Sequence, residues 1–431
     1  MTPARVAVIG AGPAGLGAAH ALVRGGARVT VFEAGNEVGG LARSFDLWGQ
    51  RVEYGAHLLL RVDPRIDALW DELIGEDFVA ASRRTRILSR GRWLRYPYEP
   101  LDALRAIGLH EALRCAAGLA RRGPDGDDLE RWVVSRFGRP AFELFVADYV
   151  RKLLGVPASD IDAAFAGTLL GFQRQSSLAA TGRRVLARAP EPPVVRPLGG
   201  VGELLSRMAA DVERRGGVVR LGAPVERLVR RDGAVAGMRI DGVEEPFDHV
   251  ISTAPIPVLL RALGDVPEEI ARRRDELRAR GVVIVYLLLD GAAGFDDQWV
   301  YVTDPANDVG RITNFSAWRA DGAPMPAQTI LAAEIGEEAK APAPALAERE
   351  LRELGLLGHA RVVETHVVRL PRVQPVPLTG AAAGLAPVRA WLETIRGLTT
   401  TGRHGAFANT GVHESILLGM DAAANVQILS P

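Results

Sequence analysis

The sequence predicts an α/β fold built on a Rossmann-like domain. Residues 6–10 and 29–33 are short apolar runs of the kind found in strands that are covered on both faces. Residues 14–24, between these runs, have helical spacing and end at two glycines. A strand, a helix and a second strand within about thirty residues indicate a right-handed parallel crossover.

Later segments add helices and further strands. Residues 101–122 and 129–154 have helical periodicity, and a Gly-Pro-Asp-Gly breaker separates them. Residues 187–197 are rich in proline and predict a linker. Strands are predicted at 218–221, 223–229, 234–240, 248–252, 282–289, 298–303 and 398–402. Helices are predicted at 202–215, 345–354 and 414–428.

Composition excludes several classes of protein. The chain has 431 residues, of which 48% are hydrophobic, so it can bury the cores of two or three domains. Acidic and basic residues number 52 each, which leaves no overall field to attract nucleic acid. Cys115 is the single cysteine, so an intrachain disulfide is impossible. Residues 1–5 lead directly into a strand pattern, and the apolar run 282–289 is far too short for a membrane span. We therefore expect a cytoplasmic protein with no signal peptide and no integral membrane segment.

The turn after the first strand has the pattern of a dinucleotide-binding loop. Gly10, Gly12 and Gly15 occupy the glycine positions of G-x-G-x-x-G, with Pro13 and Ala14 between the last two. These glycines allow a tight turn, a close approach to a pyrophosphate and close packing of helix on strand. Glu33 ends the second strand, where a carboxylate binds ribose hydroxyls. An ordinary glycine turn is the alternative interpretation, but the acid and both strands favour a dinucleotide.

The continuation of this turn resembles a known FAD fingerprint. Residues 37–43 read Glu-Val-Gly-Gly-Leu-Ala-Arg, which is similar to the motif shared by amine oxidases, protoporphyrinogen oxidases, phytoene desaturases and UDP-galactopyranose mutases. Segments 197–202, 224–228, 250–255, 401–405 and 411–415 resemble later parts of the same superfamily, in the same order. The resemblance implies that FAD is the cofactor, and that a reduced flavin would be stabilised at the N-terminus of the last helix.

The resemblance also implies the domain organisation and the cofactor contacts. It predicts a discontinuous Rossmann-like FAD-binding domain from residues 1–95, 191–262 and 397–431, a helical insertion at 96–190 and a mixed-sheet substrate domain at 263–396. The residues expected to bind FAD are Gly10, Gly12, Pro13, Ala14, Gly15, Glu33, Ala34, Gly39, Gly40, Leu41, Ala42, Arg43, Gly55, Ala56, His57, Val225, Gly402, Arg403, Gly411, Val412, His413 and Ser415.

Within the superfamily, the sequence resembles the UDP-galactopyranose mutases and the oxidoreductases near them. Residues 54–57, Tyr-Gly-Ala-His, are similar to the turn that presents a histidine to the flavin in those proteins. The mutases carry a second histidine where this chain has Leu60. They also carry a tyrosine and aspartates where this chain has Asn409, Gly411 and His413. Those side chains hold the substrate diphosphate, so their replacement disfavours mutase chemistry.

The remaining candidates are catalytic and substrate-binding side chains. His57, His413 and Glu414 are candidates for proton transfer, because imidazole titrates near neutral pH. Many amine oxidases keep a lysine near the flavin, but the two lysines of this chain, Lys152 and Lys340, are not obvious candidates for that role. Arginine forks suit anions and aromatic rings suit sugars, which makes the following residues the substrate-binding candidates: Arg95, Tyr98, Tyr149, Arg151, Tyr301 and Arg311. No cluster has metal-ligand spacing.

The sequence thus predicts an FAD-dependent oxidoreductase. It would remove a hydride from a C–OH or C–NH group of a small polar metabolite, sugar-containing metabolites included. Two alternatives stay open at this point. One is a redox-neutral, flavin-dependent nucleotide-sugar mutase, and the other is a non-catalytic FAD-binding subunit that assists a partner.

Overall fold

The structure, a computed structural model, describes residues 3–61, 63–96, 100–166, 194–319, 326–339 and 342–426. These residues form two compact units. Unit 1 comprises Met1–Ala80, Pro192–Arg278 and Ala383–Pro431, and unit 2 comprises Ala81–Glu191 and Ala279–Ala382. Tyr98 and Lys340 lie outside the described residues. Among the described helices, none combines the length and the apolar character that crossing a bilayer requires. The five domain segments given above stay predictions.

A five-stranded parallel sheet forms the centre of unit 1. Its strands, in spatial order, are β10 (Val218–Arg220), β2 (Arg28–Phe32), β1 (Arg5–Ile9), β14 (His249–Ser252) and β20 (Leu398–Thr400). Side chains alternate between the two faces, so Val6 and Val8 join one apolar core and Ala7 joins another. This parallel sheet with a core on each face confirms the predicted α/β class.

Among the described residues, unit 1 also contains smaller strands and eight helices. The other strands of unit 1 are β3 (Ser44–Leu47), β4 (Gln50–Glu53), β5 (Leu59–Leu60), β6 (Phe78–Ala81), β9 (Val194–Pro197), β11 (Arg227–Arg231), β12 (Ala234–Ile240) and β13 (Val243–Pro246). The helices are α1 (Pro13–Arg24), α2 (Pro64–Leu73), α7 (Val201–Arg214), α8 (Ile256–Leu263), α9 (Glu268–Glu276), α11 (Ala381–Glu393), α12 (Gly402–Gly405) and α13 (Val412–Ala424).

The first and last of these helices pack in direct contact. A Cβ atom on Gly419 of α13 would overlap the carbonyl oxygen of Ala14 in α1. Only glycine permits the two backbones to lie so close. The packing therefore places the middle of α13 against the first turn of α1.

Unit 2 combines a mixed sheet with a helical cluster. The sheet runs β19 (Val362–Pro375), β15 (Ala279–Leu289), β18 (Thr329–Gly336), β17 (Val309–Asn314), β16 (Trp299–Val302), β7 (Thr85–Ser89) and β8 (Arg92–Arg95). Only the pair of β16 with β7 is parallel. The helices are α3 (Pro100–Ala120), α4 (Leu129–Phe137), α5 (Arg139–Phe145), α6 (Ala147–Leu154) and α10 (Ala343–Glu353).

Four predicted elements differ from the structure. The helical stretch 101–122 is interrupted at Gly108, which has a positive φ of 79°. The helical stretch 129–154 is three helices, because Gly138 has a positive φ of 82° and Val146 leaves helical geometry. The strand predicted at 223–229 begins only at Arg227, and the backbone at 222–223 instead donates to Glu33 and Gly35. Pro224 lacks the N–H that a strand would use. The end of the predicted linker at 187–197 is strand β9.

Candidate functional site

The glycine turn brings the N-terminus of α1 to the C-terminal end of β1. Gly10 has a φ of 98°, and a Cβ atom on Gly15 would overlap the Gly10 carbonyl oxygen. α1 begins at Pro13, and Gly12 before it offers no side chain to cap the first turn. The free N–H groups of that turn and the helix dipole favour a bound anion. The glycine positions therefore have the geometry that the dinucleotide pattern predicts.

The second glycine loop lies directly against the first. The Gly39 N–H donates to the Ala11 carbonyl at 2.8 Å. A Cβ atom on Gly40 would lie 3.2 Å from the Cα of Gly12, so any side chain there would fill the space above the turn. Arg43 follows this loop, with its guanidinium 5.3 Å from the Tyr54 ring centre and 3.2 Å from the Glu37 carboxylate. The two loops form a backbone cradle beside a cation.

Glu33 is fixed at the end of β2 by backbone donors. Its Oε2 accepts the Ala11 N–H at 2.8 Å, and its Oε1 accepts the Gly35 N–H at 2.8 Å. The Ala223 N–H donates to the Glu33 carbonyl, which brings the segment carrying Val225 beside this loop. A carboxylate oxygen has more than one lone pair, so Glu33 can still accept a hydroxyl. This arrangement suits the ribose end of a dinucleotide.

The short helix α12 lies against the same turn, and it is hydrogen-bonded to Thr410, two residues before α13. A Cβ atom on Gly402 would lie 2.7 Å from the Cβ of Ala14 in α1. Glu414 accepts the Gly411 N–H at 2.7 Å, and Ser415 is hydrogen-bonded to Thr410 at 2.8 Å. Arg403 donates its Nε to the Thr410 carbonyl at 3.0 Å. In this structure Glu414 therefore caps the helix, while its catalytic role stays a prediction.

His413, on the first turn of α13, is half-buried. Its Nδ1 has no protein hydrogen-bond partner among the described residues. Burial lowers the pKa of His413, and the neighbouring Glu414 carboxylate opposes that shift only in part. The imidazole is consequently neutral near pH 7, which is the form that can accept a proton.

His57 belongs to a buried charged cluster that the sequence did not reveal. Glu53, at the end of β4, is 1% exposed and accepts from Arg196 at 3.1 Å and from the Val201 N–H at 2.8 Å. Burial alone would raise the pKa of Glu53, but Arg196, His57 and the Val201 N–H together hold that pKa below its usual range. The His57 Nδ1 lies 3.6 Å from the second carboxylate oxygen. The cluster thus places an ionised acid behind the predicted histidine.

A second set of candidates lies together in unit 2. The Tyr301 ring centre is 5.1 Å from that of Tyr96 and 5.6 Å from that of Tyr149. Burial, together with Tyr301, raises the pKa of Tyr96 to about 12, so its hydroxyl keeps its proton. Strand pairing sets Tyr301 opposite Arg311, and Arg311 opposite Glu334. The three tyrosines therefore form one aromatic cluster beside a charged pair.

Arg311 differs from the free anion-binding fork that we expected. Its Nε and Nη2 donate to the two oxygens of Glu334 at 2.7 and 2.9 Å. Burial alone would lower the pKa of Arg311, but Glu334 and the two nearby tyrosines raise it. Arg95 and Arg151, the other two arginines expected to bind substrate, have exposed side chains. The Arg311 guanidinium is thus bound by a carboxylate of its own unit.

Lys152, on α6, is held by backbone carbonyls of unit 2. Its Nζ donates to Val302 at 3.1 Å and to Val309 at 3.2 Å. Burial lowers the pKa of Lys152 to about 8, against the opposing effect of Glu350 and three aspartates. These contacts hold the Lys152 side chain between α6 and the loop that joins β16 to β17.

The unit 1 site fits FAD. The α1 N-terminus and the cradle of Gly12 and Gly40 suit a pyrophosphate, Glu33 suits a ribose, and the α13 N-terminus suits the anionic edge of a reduced flavin. These features define an FAD-dependent flavoprotein of the discontinuous Rossmann-like type.

Comparison with known proteins identifies the family. The profile of the flavin-containing amine oxidoreductases matches residues 13–427, and the chain belongs to that family. A crystal structure of reduced UDP-galactopyranose mutase superposes with a TM-score of 0.85 at 21% identity, covering 100% of this chain and 96% of that one. A putative protoporphyrinogen oxidase from Exiguobacterium sp. 255-15 superposes with a TM-score of 0.79 at 19% identity, covering 100% of both chains. At these identities the likeness shows the fold.

Curated relatives match only parts of the sequence. Protoporphyrinogen oxidase 2 of Arabidopsis thaliana is 36% identical over 101 residues, which are 23% of this chain and 20% of that protein. Other relatives, including a glutamate synthase small chain and a polyamine oxidase, are matched over less than two thirds of their own length. The family and its FAD cofactor rest on the profile match, whereas the activities of these relatives are stated of those proteins alone.

Proposed function

We propose that the protein is an FAD-dependent oxidoreductase that removes a hydride from a C–OH or C–NH group of a small polar metabolite, sugar-containing metabolites included. The observation that carries the proposal is the FAD cradle with two histidines in the same unit, His57 beside an ionised carboxylate and His413 with a lowered pKa. FAD, when bound, accepts the hydride from the substrate carbon. The proton of the hydroxyl or amine passes to a protein base, which balances the half-reaction.

His413 is our first candidate for that base. Its ring is neutral near pH 7 because burial lowers its pKa, and its Nδ1 has no protein partner. It occupies the first turn of α13, whose N-terminus also favours negative charge. Glu414 caps the helix through the Gly411 N–H and serves to hold this turn.

The aromatic cluster of unit 2 supports a polar, ring-containing substrate. Tyr96, Tyr149 and Tyr301 offer ring faces and hydroxyl groups, which suit a sugar or another polar ring. The high pKa of Tyr96 keeps its hydroxyl available as a hydrogen-bond donor. Because Arg311 is engaged by Glu334, the cluster favours a neutral or singly charged group over a diphosphate.

A redox-neutral sugar mutase is the second candidate. The match to a UDP-galactopyranose mutase over the whole chain favours it. Against it stand Leu60, Asn409 and His413 at positions where those proteins carry other side chains, and the engaged Arg311 fork. A mutase needs a firmly held diphosphate, which these residues do not supply.

Anaerobic spectroscopy of the FAD-loaded protein tests the proposal. Panels of nucleotide sugars, amino sugars, alcohols and amines are added while the long-wavelength flavin band is recorded. Bleaching by a substrate alone is the expected result, since it reports hydride transfer to the flavin. Isomerisation of a nucleotide sugar after reduction with dithionite, without bleaching before it, would identify a mutase. Retained FAD with neither outcome would identify a non-catalytic subunit, and protein that cannot be loaded with FAD would contradict the cofactor assignment.

A further inference from the structure

The Glu53 carboxylate has two oxygens with different surroundings. Oε1 accepts from the Val201 N–H at 2.8 Å and from the Arg196 Nη2 at 3.1 Å, and Ser44 Oγ lies 3.5 Å away. Those groups come from α7, β9 and β3, so Oε1 ties three elements together. Oε2 faces Nδ1 of His57 at 3.6 Å. Oε1 therefore holds three elements of the fold together, and Oε2 faces the candidate catalytic histidine.

The His57 ring has no competing partner at Nδ1. This nitrogen is buried and has no protein hydrogen bond among the described residues, although the side chain as a whole is 19% exposed. A neutral imidazole carries its proton on either Nδ1 or Nε2. A lone pair on Nδ1 would face a carboxylate oxygen and be repelled, whereas an N–H there would be attracted. The distance of 3.6 Å is slightly beyond a hydrogen bond, so the attraction is that of a carboxylate charge for a nearby N–H dipole.

We propose that Glu53 is the positioning residue of His57, which it holds in the Nδ1–H tautomer so that Nε2 carries the lone pair. The ring then presents Nε2 as a proton or hydrogen-bond acceptor. Its use by a flavin or a substrate rests on the proposed function above, whereas the tautomer itself does not. Glu53 stays ionised to do this, because the Arg196 guanidinium and the Val201 N–H compensate its burial.

A purely structural role for Glu53 predicts a different effect of its substitution on the His57 tautomer. As a cap of α7, Glu53 needs only an acceptor at Oε1, and Glu53→Gln can provide one with its amide oxygen. The donors at Arg196 and Val201 would hold that oxygen, so the amide NH₂ would face His57. An NH₂ donor favours a lone pair on Nδ1, which is the opposite tautomer. Glu53→Gln therefore keeps the cap and reverses the signal at His57.

The test is ¹⁵N NMR of histidine-labelled protein in mildly alkaline buffer, where an accessible imidazole is neutral. The His57 signals are assigned by their loss in His57→Gln. In the wild type, Nδ1–H is expected to exceed Nε2–H by about tenfold, as for a hydrogen bond to a charged group. In Glu53→Gln, Nε2–H should predominate. Ser44→Ala is the matched control: it removes a neighbour of Oε1 and the acceptor of the Gly202 N–H but leaves Oε2 untouched, so the wild-type tautomer should persist.

Either of two results would overturn the proposal. The first is a wild-type His57 that is mainly Nε2–H, a measurement that needs no variant to fold. The second is an unchanged His57 tautomer in Glu53→Gln. This result counts if the variant is folded, as shown by one cooperative unfolding transition like that of the wild type. Glu53→Asp adds a rescue, since a shorter carboxylate should keep the Nδ1–H form. All spectra are recorded with and without FAD, so failure of flavin binding or turnover is seen separately from failure of the tautomer prediction.

Discussion

The candidate ligand sites of the two units are built from different parts of the chain. In unit 1 the cofactor cradle is largely backbone: glycine turns, the N-termini of α1 and α13, and Glu33 fixed by two N–H donors. In unit 2 the candidate substrate cluster consists of side chains that meet across strands, with Tyr301 beside Arg311 and Arg311 beside Glu334. Backbone recognition tolerates few substitutions, whereas a side-chain cluster can change its specificity without loss of the fold. In this chain the candidate cofactor contacts thus depend on backbone geometry, and the candidate substrate contacts depend on individual side chains.

The largest expected effect comes from breaking the buried pair of unit 1. Arg196→Met leaves Glu53 ionised and buried without its guanidinium, so the free energy of unfolding should fall by about 3–5 kcal/mol. Arg24→Met is the control, since Arg24 and Glu72 form an exposed pair worth at most about 1 kcal/mol. Denaturant unfolding of both variants measures the difference. Equal losses would mean that the Glu53 cluster is not a special feature of unit 1.

The next effect concerns the glycine turn. Gly15→Ala places a methyl group against the Gly10 carbonyl, which should destabilise unit 1 by about 1–3 kcal/mol and weaken FAD binding about tenfold or more. Gly384→Ala tests glycine replacement as such, because its Cβ would meet only the mobile end of Glu276 at 3.6 Å. FAD titration followed by flavin fluorescence gives both dissociation constants. Wild-type affinity in Gly15→Ala would contradict the backbone cradle.

In unit 2 the expected effect is smaller and concerns stability, not FAD affinity. Arg311→Met should lower the free energy of unfolding by about 2 kcal/mol, because Glu334 loses a charged, two-pronged partner. FAD affinity should stay within about twofold, since the cradle of unit 1 is untouched. The double variant Arg311→Met/Glu334→Leu should recover part of the stability. A loss of FAD affinity comparable to that in Gly15→Ala would remove the distinction between the units.

The smallest effect is a pH dependence of unit 1. His20 of α1 is buried 3.1 Å from Asp211, and burial lowers its pKa below the ordinary value. Below about pH 6.5 the unfolded chain therefore binds a proton that the folded chain does not, and stability is lost as the pH falls. The slope from this one group cannot exceed about 1.4 kcal/mol per pH unit, the value for a single proton. Unfolding of the wild type and His20→Gln across this range measures it; parallel curves would exclude His20 as the cause.

The cofactor side could be predicted from the sequence because its signals are local. The glycine turn, Glu33 and the Gly-Gly loop each lie within a short segment whose backbone geometry follows from residue type. The family and the cofactor predicted from these segments were confirmed. The catalytic residues and the substrate contacts stay predictions, since proximity to a candidate ligand is a property of the fold and not of a short motif.

What the sequence did not reveal depends on distant partners. Glu53 and Arg196 are 143 positions apart, and nothing near either residue signals the other. The sequence singled out Arg311, but its engagement by Glu334 follows from a strand register that no local pattern specifies. The strand predicted from residue 223 failed because of Pro224, whose missing N–H left the preceding backbone to pair with the Glu33 loop.

The close contact between α1 and α13 has a consequence for biosynthesis. The first helix of the parallel sheet packs on a helix that the ribosome makes nearly four hundred residues later, and strand β20 is also made late. While it is being translated, the nascent chain can form the glycine turn but lacks the helix that packs against it. Any contact between the cofactor and α13 can therefore form only after α13 has been made.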